Sequence, residues 1–275
     1  MADKATIVVT GASDGIGAAA ARQLRAAGAS VVLVGRSPTK TEKMADELAA
    51  PYYVADFSNL DEVRTLAARL DADLPRIHVL ANNAGGIMGP RIVTVDGNEL
   101  TFQVNHLAPF LLTNLLLEKL KRSNATVIAT SSIANRRPGR LDLGDVNLDH
   151  GYSATSAYSK AKLMNILFTK ELHRRHRTDG IAAAAFHPGI VRTSFSAEFG
   201  GSWSLGYTTV LRRLLRSPEK GAETLVWLAT STPGQDWLPG EFYKDKRVAR
   251  VNRQAYDQAL AKELWNRSVE MAGLG

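Results

Sequence analysis

Apolar positions along this chain fall into two alternating patterns. Near-continuous runs rich in Val, Ile and Ala occupy 5–10, 30–35, 51–56, 77–82, 125–131 and 180–186, with a shorter one near 240–244. Between them apolar residues recur at helical spacing over 15–27, 39–49, 59–71, 97–121, 153–177 and 218–230, and a last helix begins near 252. A short apolar run without alternation reads as a strand buried on both faces. Strands of that kind separated by helices read as βαβ units, so the pattern predicts an α/β fold: one doubly wound parallel sheet of about seven strands with helices on both faces.

Two segments break the rhythm. Residues 133–152 and 190–216 mix Gly, Pro, Ser and apolar side chains without a clear period and read as loops or short irregular helices, which at that length in a compact domain are usually functional. The second contains Phe195, Phe199, Trp203, Leu205 and Tyr207, enough aromatic surface to cover an apolar ligand, or equally to pack on itself. There is no repeat or Pro/Gly/Ser linker to divide 1–275, so a single domain is expected, with 190–216 as a substrate-covering loop region.

Composition narrows the picture. With 45% hydrophobic and 22% charged residues the chain is an ordinary globular protein. It contains no cysteine, which removes disulfides, zinc-thiolate sites and cysteine nucleophiles together and suits a reducing cytoplasm. No stretch approaches the roughly 18 apolar residues of a membrane span, so neither a membrane nor a secretory role is expected. The net charge of +7 is spread over several segments, which argues against nucleic acid and is compatible with anionic small molecules. A homo-oligomer is compatible with all of this, and no metal site is expected.

Residues 10–17, TGASDGIG, stand between the first strand and the first helix. Gly11, Gly15 and Gly17 allow a tight turn and remove side chains where a pyrophosphate could approach, while the helix that follows offers free N–H groups and the positive end of its dipole. A bare strand-to-helix turn without ligand would use the same residues. Further along, Tyr158 and Lys162 stand four apart on a predicted helix, so both side chains leave one face and can reach a common point. A phenol near pKa 10 beside an ammonium is drawn toward phenolate and becomes a usable proton donor and acceptor.

The spacing Gly-x-x-x-Gly-x-Gly after Thr10 resembles the signature of the short-chain dehydrogenase/reductase family, whose domain is of Rossmann type. Further segments match in order: Asn82-Asn83-Ala84-Gly85, Asn105 within VNHLAPFLLT, Ser131-Ser132, Tyr158-Ser159-Lys160-Ala161-Lys162, and His187-Pro188-Gly189-Ile190-Val191-Arg192-Thr193. The resemblance implies catalysis by Asn105, Ser132, Tyr158 and Lys162. Tyr158 would protonate the carbonyl oxygen as hydride reaches carbon, Ser132 would hold that oxygen, Lys162 would also bind the nicotinamide ribose, and Asn105 would anchor a water on a proton path. It implies cofactor contacts from Gly11, Ser13, Asp14, Gly15, Ile16 and Gly17, from Asp56 beside the adenine, from Asn83, Ala84 and Gly85, and from Pro188, Gly189, Ile190 and Thr193 near the carboxamide. Asn83 would also stabilise the central sheet.

The second strand ends in Gly35-Arg36-Ser37, with no carboxylate where folds that prefer NAD usually carry one. Arg36 could bind a 2′-phosphate by charge-assisted bonds, so NADP(H) is the expected cofactor, with NAD(H) open because an arginine can also stack on adenine. The long interval between Ser132 and Tyr158 looks like the retinol-dehydrogenase-like and WW-domain-oxidoreductase-like branch. That branch implies a carbonyl or alcohol substrate of apolar or aromatic character. A non-catalytic NADP(H)-binding regulator on the same fold is the alternative.

Overall fold

The computed structural model describes residues 4–137, 139–191 and 216–275. Its strands are β1 (Thr6–Thr10), β2 (Ser30–Gly35), β3 (Tyr52–Val54), β4 (Val79–Asn82), β5 (Thr126–Thr130), β6 (Ala182–His187), β7 (Phe242–Lys244) and β8 (Arg247–Val248). They form one sheet in the order β3-β2-β1-β4-β5-β6-β7-β8. Every pair is parallel except β7 with β8, a two-residue antiparallel addition that accounts for the strand beyond the seven expected.

Helices cover both faces. On one lie α1 (Gly15–Ala26), α2 (Pro38–Leu48) and α8 (Pro218–Thr230), and on the other α3 (Leu60–Asp73), α5 (Ala108–Leu115), α7 (Ala154–His176) and the C-terminal α9 (Gln258–Met271). The strands feed both sides by alternation: Ile7 and Val9 pack under α1 and α8, while Val8 between them packs on the opposite face. Small residues set the approach on the α1 side. Ala18, Ala19, Ala20 and Ala21 face a sheet whose β6 is itself four consecutive alanines, Ala182–Ala185. Side-chain caps start these helices where the sequence changes: Asp14, Ser37, Asn59 and Ser217 each accept a first-turn N–H.

The helix expected over 97–121 is broken into four pieces. Leu100–Phe102 is a single turn, α4, capped by Glu99; Gln103–Leu107 is a π-helical segment; α5 follows; and Leu117–Arg122 forms α6. The break has local causes. The Glu99 carboxylate takes the Thr101 and Phe102 N–H groups, and the Gln103 side chain is held by Asn98, Thr94 and Asp96. The 133–152 segment, expected as a loop, is pinned to the core by Leu141, Leu143, Val146 and Leu148, each buried. The final helix starts at Gln258 rather than near 252, after a 3-10 turn at Arg253–Tyr256.

His106, in the π-helical segment, ties three elements together. Its Nε2 lies 3.0 Å from Ser268 Oγ on α9 and its Nδ1 3.4 Å from Asn165 Oδ1 on α7, while Phe102, Phe110 and Phe168 surround the ring. Burial pushes its pKa down to about 4. The folded value lies below the unfolded one, so the stability is full above about pH 6.5 and is lost as pH falls toward 4, where the unfolded chain takes the proton first. Urea unfolding of His106→Gln should therefore show a loss between pH 7.5 and 5 that is smaller than wild type's by about 2 kcal/mol.

Candidate active site

Strand order reverses between β1 and β4, and a crevice opens outside their carboxyl ends, as this topology requires. The junction is locked by Thr10. Its hydroxyl accepts from Asn83 N at 3.0 Å and Ala84 N at 2.9 Å, and Asn83 Nδ2 returns a bond to Thr10 O at 2.9 Å. Thr130 Oγ1 at the end of β5 donates to Asn83 Oδ1, so Asn83 bridges three strand ends. Gly11 has φ +67, and Gly17 packs so closely that a Cβ there would sit 2.1 Å from Gly11 O. Nothing larger than glycine fits.

The resulting cleft has a volume of about 1230 Å³, room for a ligand larger than most drug-sized molecules. Gly11, Ser13, Asp14, Gly15, Ile16 and Gly17 line it, with Arg36, Asp56, Asn83, Ala84 and Gly85, and Pro188, Gly189 and Ile190 close the far wall. The first-turn N–H groups of α1 have no carbonyl one turn earlier to accept them, and Asp14 Oδ1 takes that of Gly15. The chemistry of this cradle fits a dinucleotide. Thr193 lies outside the described residues, as do Phe195, Phe199, Trp203, Leu205 and Tyr207.

At the other end Ser132, Tyr158 and Lys162 converge on the same cleft. Ser132 and Tyr158 share a side-chain hydrogen bond, and Lys162 Nζ lies 5.3 Å from the centre of the Tyr158 ring. Lys162 is buried, and its ammonium donates to Thr130 O at 3.0 Å. Ser131 is spent differently: its hydroxyl donates to Lys162 O at 2.7 Å and is buried. A Cβ on Gly85 would lie 2.4 Å from Asn105 Oδ1 and 3.4 Å from Lys162 Nζ, which places Asn105 beside the lysine.

Two of the expected site residues have surroundings that spacing alone did not give. The Asn105 amide is committed to backbone, donating to Gly86 O at 2.7 Å and Thr101 O at 2.9 Å and accepting from Gly86 N at 3.0 Å. One lone pair of Oδ1 is left for a water. The phenol, moreover, is not drawn down in the protein alone. Burial pushes Tyr158 up to about 12 against the opposing Ser132 bond, and burial pushes Lys162 down to about 7. Desolvation is the leading cause of both shifts.

Sequence reasoning missed two residues. Lys40, on the first turn of α2, lines the cleft near Arg36 and pairs with Asp14 at 3.4 Å; the signal was a lysine one helical turn beyond the strand-end arginine. His187, at the end of β6, is 4% exposed, lines the cleft and has a buried Nδ1 without a partner among the described residues. It stands at the head of the segment that runs on into Pro188 and Gly189, where sequence reasoning assigned it no role of its own. Among the described residues there is no cluster able to hold a metal ion and no helix long and apolar enough to cross a membrane.

The family model for short chain dehydrogenases matches residues 5–201. The chain is 42% identical to a Streptomyces sp. (strain C5) protein described as a candidate daunorubicin C-13 ketoreductase, DnrU, over 98% of this chain and 92% of that one. It is 36% identical to human retinol dehydrogenase 11, over 98% of this chain and 86% of the relative. A solved structure of a Mycobacterium paratuberculosis protein of unassigned activity superposes with a TM-score of 0.78 at 32% identity, covering 98% of this chain and 93% of the other.

The Gly17 contact yields a direct test. Because the atom a methyl would strike is backbone of the strand end, Gly17→Ala should weaken binding of the reduced nicotinamide cofactor at least about tenfold, the equivalent of about 1.4 kcal/mol. Fluorescence titration of the reduced cofactor measures it, with circular dichroism as the control for folding.

Proposed function

The chain belongs to the short-chain dehydrogenase family, in its retinol-dehydrogenase-like branch, and on that footing we propose that 1–275 is one NADP(H)-dependent catalytic unit. It interconverts a carbonyl compound and the corresponding alcohol. The observation that carries this reading is the convergence of Ser132, Tyr158 and Lys162 at one end of a cleft whose other end presents Arg36 and Lys40. The names of the relatives, a ketoreductase and retinol dehydrogenases, agree with a carbonyl or alcohol substrate of substantial apolar surface. The absence of cysteine is in keeping with a cytoplasmic setting.

A bound reduced nicotinamide supplies the hydride, and once oxidised its positive ring favours the phenolate. In the reductive direction Ser132 would hold the carbonyl oxygen by a hydrogen bond and Tyr158 would donate the phenolic proton to it. Lys162, fixed against Thr130 O with its ammonium beside the Tyr158 ring, would also hold a ribose hydroxyl of the cofactor. Asn105 keeps Gly86, next to Gly85, in place beside that ammonium and has one acceptor site for a relay water.

Cofactor choice rests on the end of β2. A carboxylate at Gly35 is excluded sterically, since a Cβ there would lie 2.2 Å from Thr41 Oγ1, itself buried and bonded to Ser37 O at 2.6 Å. Arg36, Lys40 and the N-terminus of α2 gather positive potential at the same place, which suits a 2′-phosphate.

Two outcomes test the proposal. Tyr158→Phe keeps the ring and should retain NADPH binding while turnover on a panel of aldehydes and ketones falls by at least about a hundredfold. A wild type that binds NADPH and turns over no member of a broad panel would favour the regulatory alternative. Arg36→Gln with Lys40→Gln should lower the kcat/KM ratio of NADPH over NADH by about ten- to a hundredfold, the size of a lost charge-assisted bond. An unchanged ratio places the selector elsewhere.

A further inference from the structure

Charge is distributed unevenly along the cleft. The carboxylates that line it, Asp14 and Asp56, are both in its adenine-side half, where Asp14 is paired with Lys40 and Asp56 Oδ1 accepts from Ser58 N at 2.9 Å. Beyond Ser132 no acidic residue lines the wall among the described residues, and two arginines do. Ser132 caps the 3-10 turn Ile133–Arg136, which carries Arg136 and then Arg137 out along the cleft. Both are exposed. Arg136 Nε donates to Arg250 O at 3.0 Å, and neither arginine has a carboxylate partner among the described residues.

The walls around them are apolar. Ile87, Met88, Val104 and Ile133 line this half. Deeper in, the unpartnered Nδ1 of His187 calls for a polar ligand atom, since buried polar groups without partners are rare. Its imidazole is kept neutral, pushed down to about 4 by burial first and then by Lys244, Arg216 and Arg136. The field in this half is therefore positive, and Asp245, the nearby acid, is already paired with Arg216.

We propose that the physiological substrate is an amphipathic carbonyl compound bearing an anionic group, which Arg136 and Arg137 hold while the apolar body lies on Ile87, Met88, Val104 and Ile133. This rests on the oxidoreductase reading above and deepens it. The four residues from Ser132 to Arg136, at the rise of a 3-10 helix, separate the two backbone positions by about 8 Å. Guanidinium groups match a carboxylate or phosphate with paired N–H donors, and the apolar walls exclude water that would otherwise screen the contact.

The probes are 4-(4-acetylphenyl)butanoate and its methyl ester, which differ in charge and scarcely in shape. Their dissociation constants are measured by calorimetry on the NADP-saturated protein at low and at physiological salt. The acid should bind at least about tenfold more tightly than the ester, with the ratio shrinking as salt rises. It should fall toward unity in Arg137→Gln and in Arg136→Gln/Arg137→Gln, and persist in Arg267→Gln, an equal loss of charge on α9 far along the chain. Equal binding of acid and ester by wild type, a ratio retained in the double variant, or an equal collapse in Arg267→Gln would overturn the proposal. Turnover of the same two compounds is followed separately. Its absence in a protein that still discriminates acid from ester would count against the catalytic reading and leave the anion site standing.

Discussion

The site depends on how closely the end of β1 can approach the start of α1. Gly11 and Gly17 meet with no space for a Cβ between them, and Gly11 lies against the backbone of Ala84 from the neighbouring strand. Thr10, Asn83 and Ala84 then join the ends of β1 and β4 by three hydrogen bonds. This contact fixes where the strand order reverses, and so where a crevice exists at all. It also brings the free N–H groups of the α1 N-terminus to the crevice floor, where a negatively charged ligand compensates them.

A second constraint is the burial of Lys162. Removing an ammonium from water is costly, and this one, which among the described residues donates to Thr130 O, is shifted down by that burial. The same dry environment raises the Tyr158 phenol. On the proposed reading a bound nicotinamide cofactor would oppose both shifts, its ribose hydroxyls giving the ammonium acceptors and its positive ring favouring the phenolate. The π-helical segment keeps the arrangement in register by tying Asn105 to Gly86 and His106 to α7 and α9.

Much of this was legible in the chain, and the omissions have physical reasons. Continuous apolar runs marked every long strand because burial on both faces leaves no alternation to confuse with anything else. Short motifs at the strand ends singled out the residues that the fold gathers into the cleft. The helix over 97–121 misled because its apolar period continues through the break, while the break itself comes from side chains of Asn98, Glu99 and Gln103 competing for backbone and for one another. The 133–152 segment hid its core residues for the opposite reason: Leu141, Leu143, Val146 and Leu148 are buried by a path of turns, which has no period. The burial of Tyr158 and Lys162 was not legible in their spacing, because spacing along a helix says nothing about desolvation.

The charge pattern follows from where these elements end. Arg36 and Lys40 come from the loop and first turn beyond β2, at one end of the sheet's carboxyl edge, and Arg136 and Arg137 come from the turn beyond β5, on the other side of the reversal. The two acids that line the cleft are committed within their own half, Asp14 to a helix cap and a lysine, and Asp56 to a turn. A net positive chain with its charge scattered along the sequence therefore concentrates two separate positive sites at the ends of one cleft. The reacting groups lie between them, with Ser132 itself opening the turn that carries the second pair. On the two proposals above, a ligand pair with negative charge at its two outer ends and a hydride to exchange in the middle is the partner such a distribution would select.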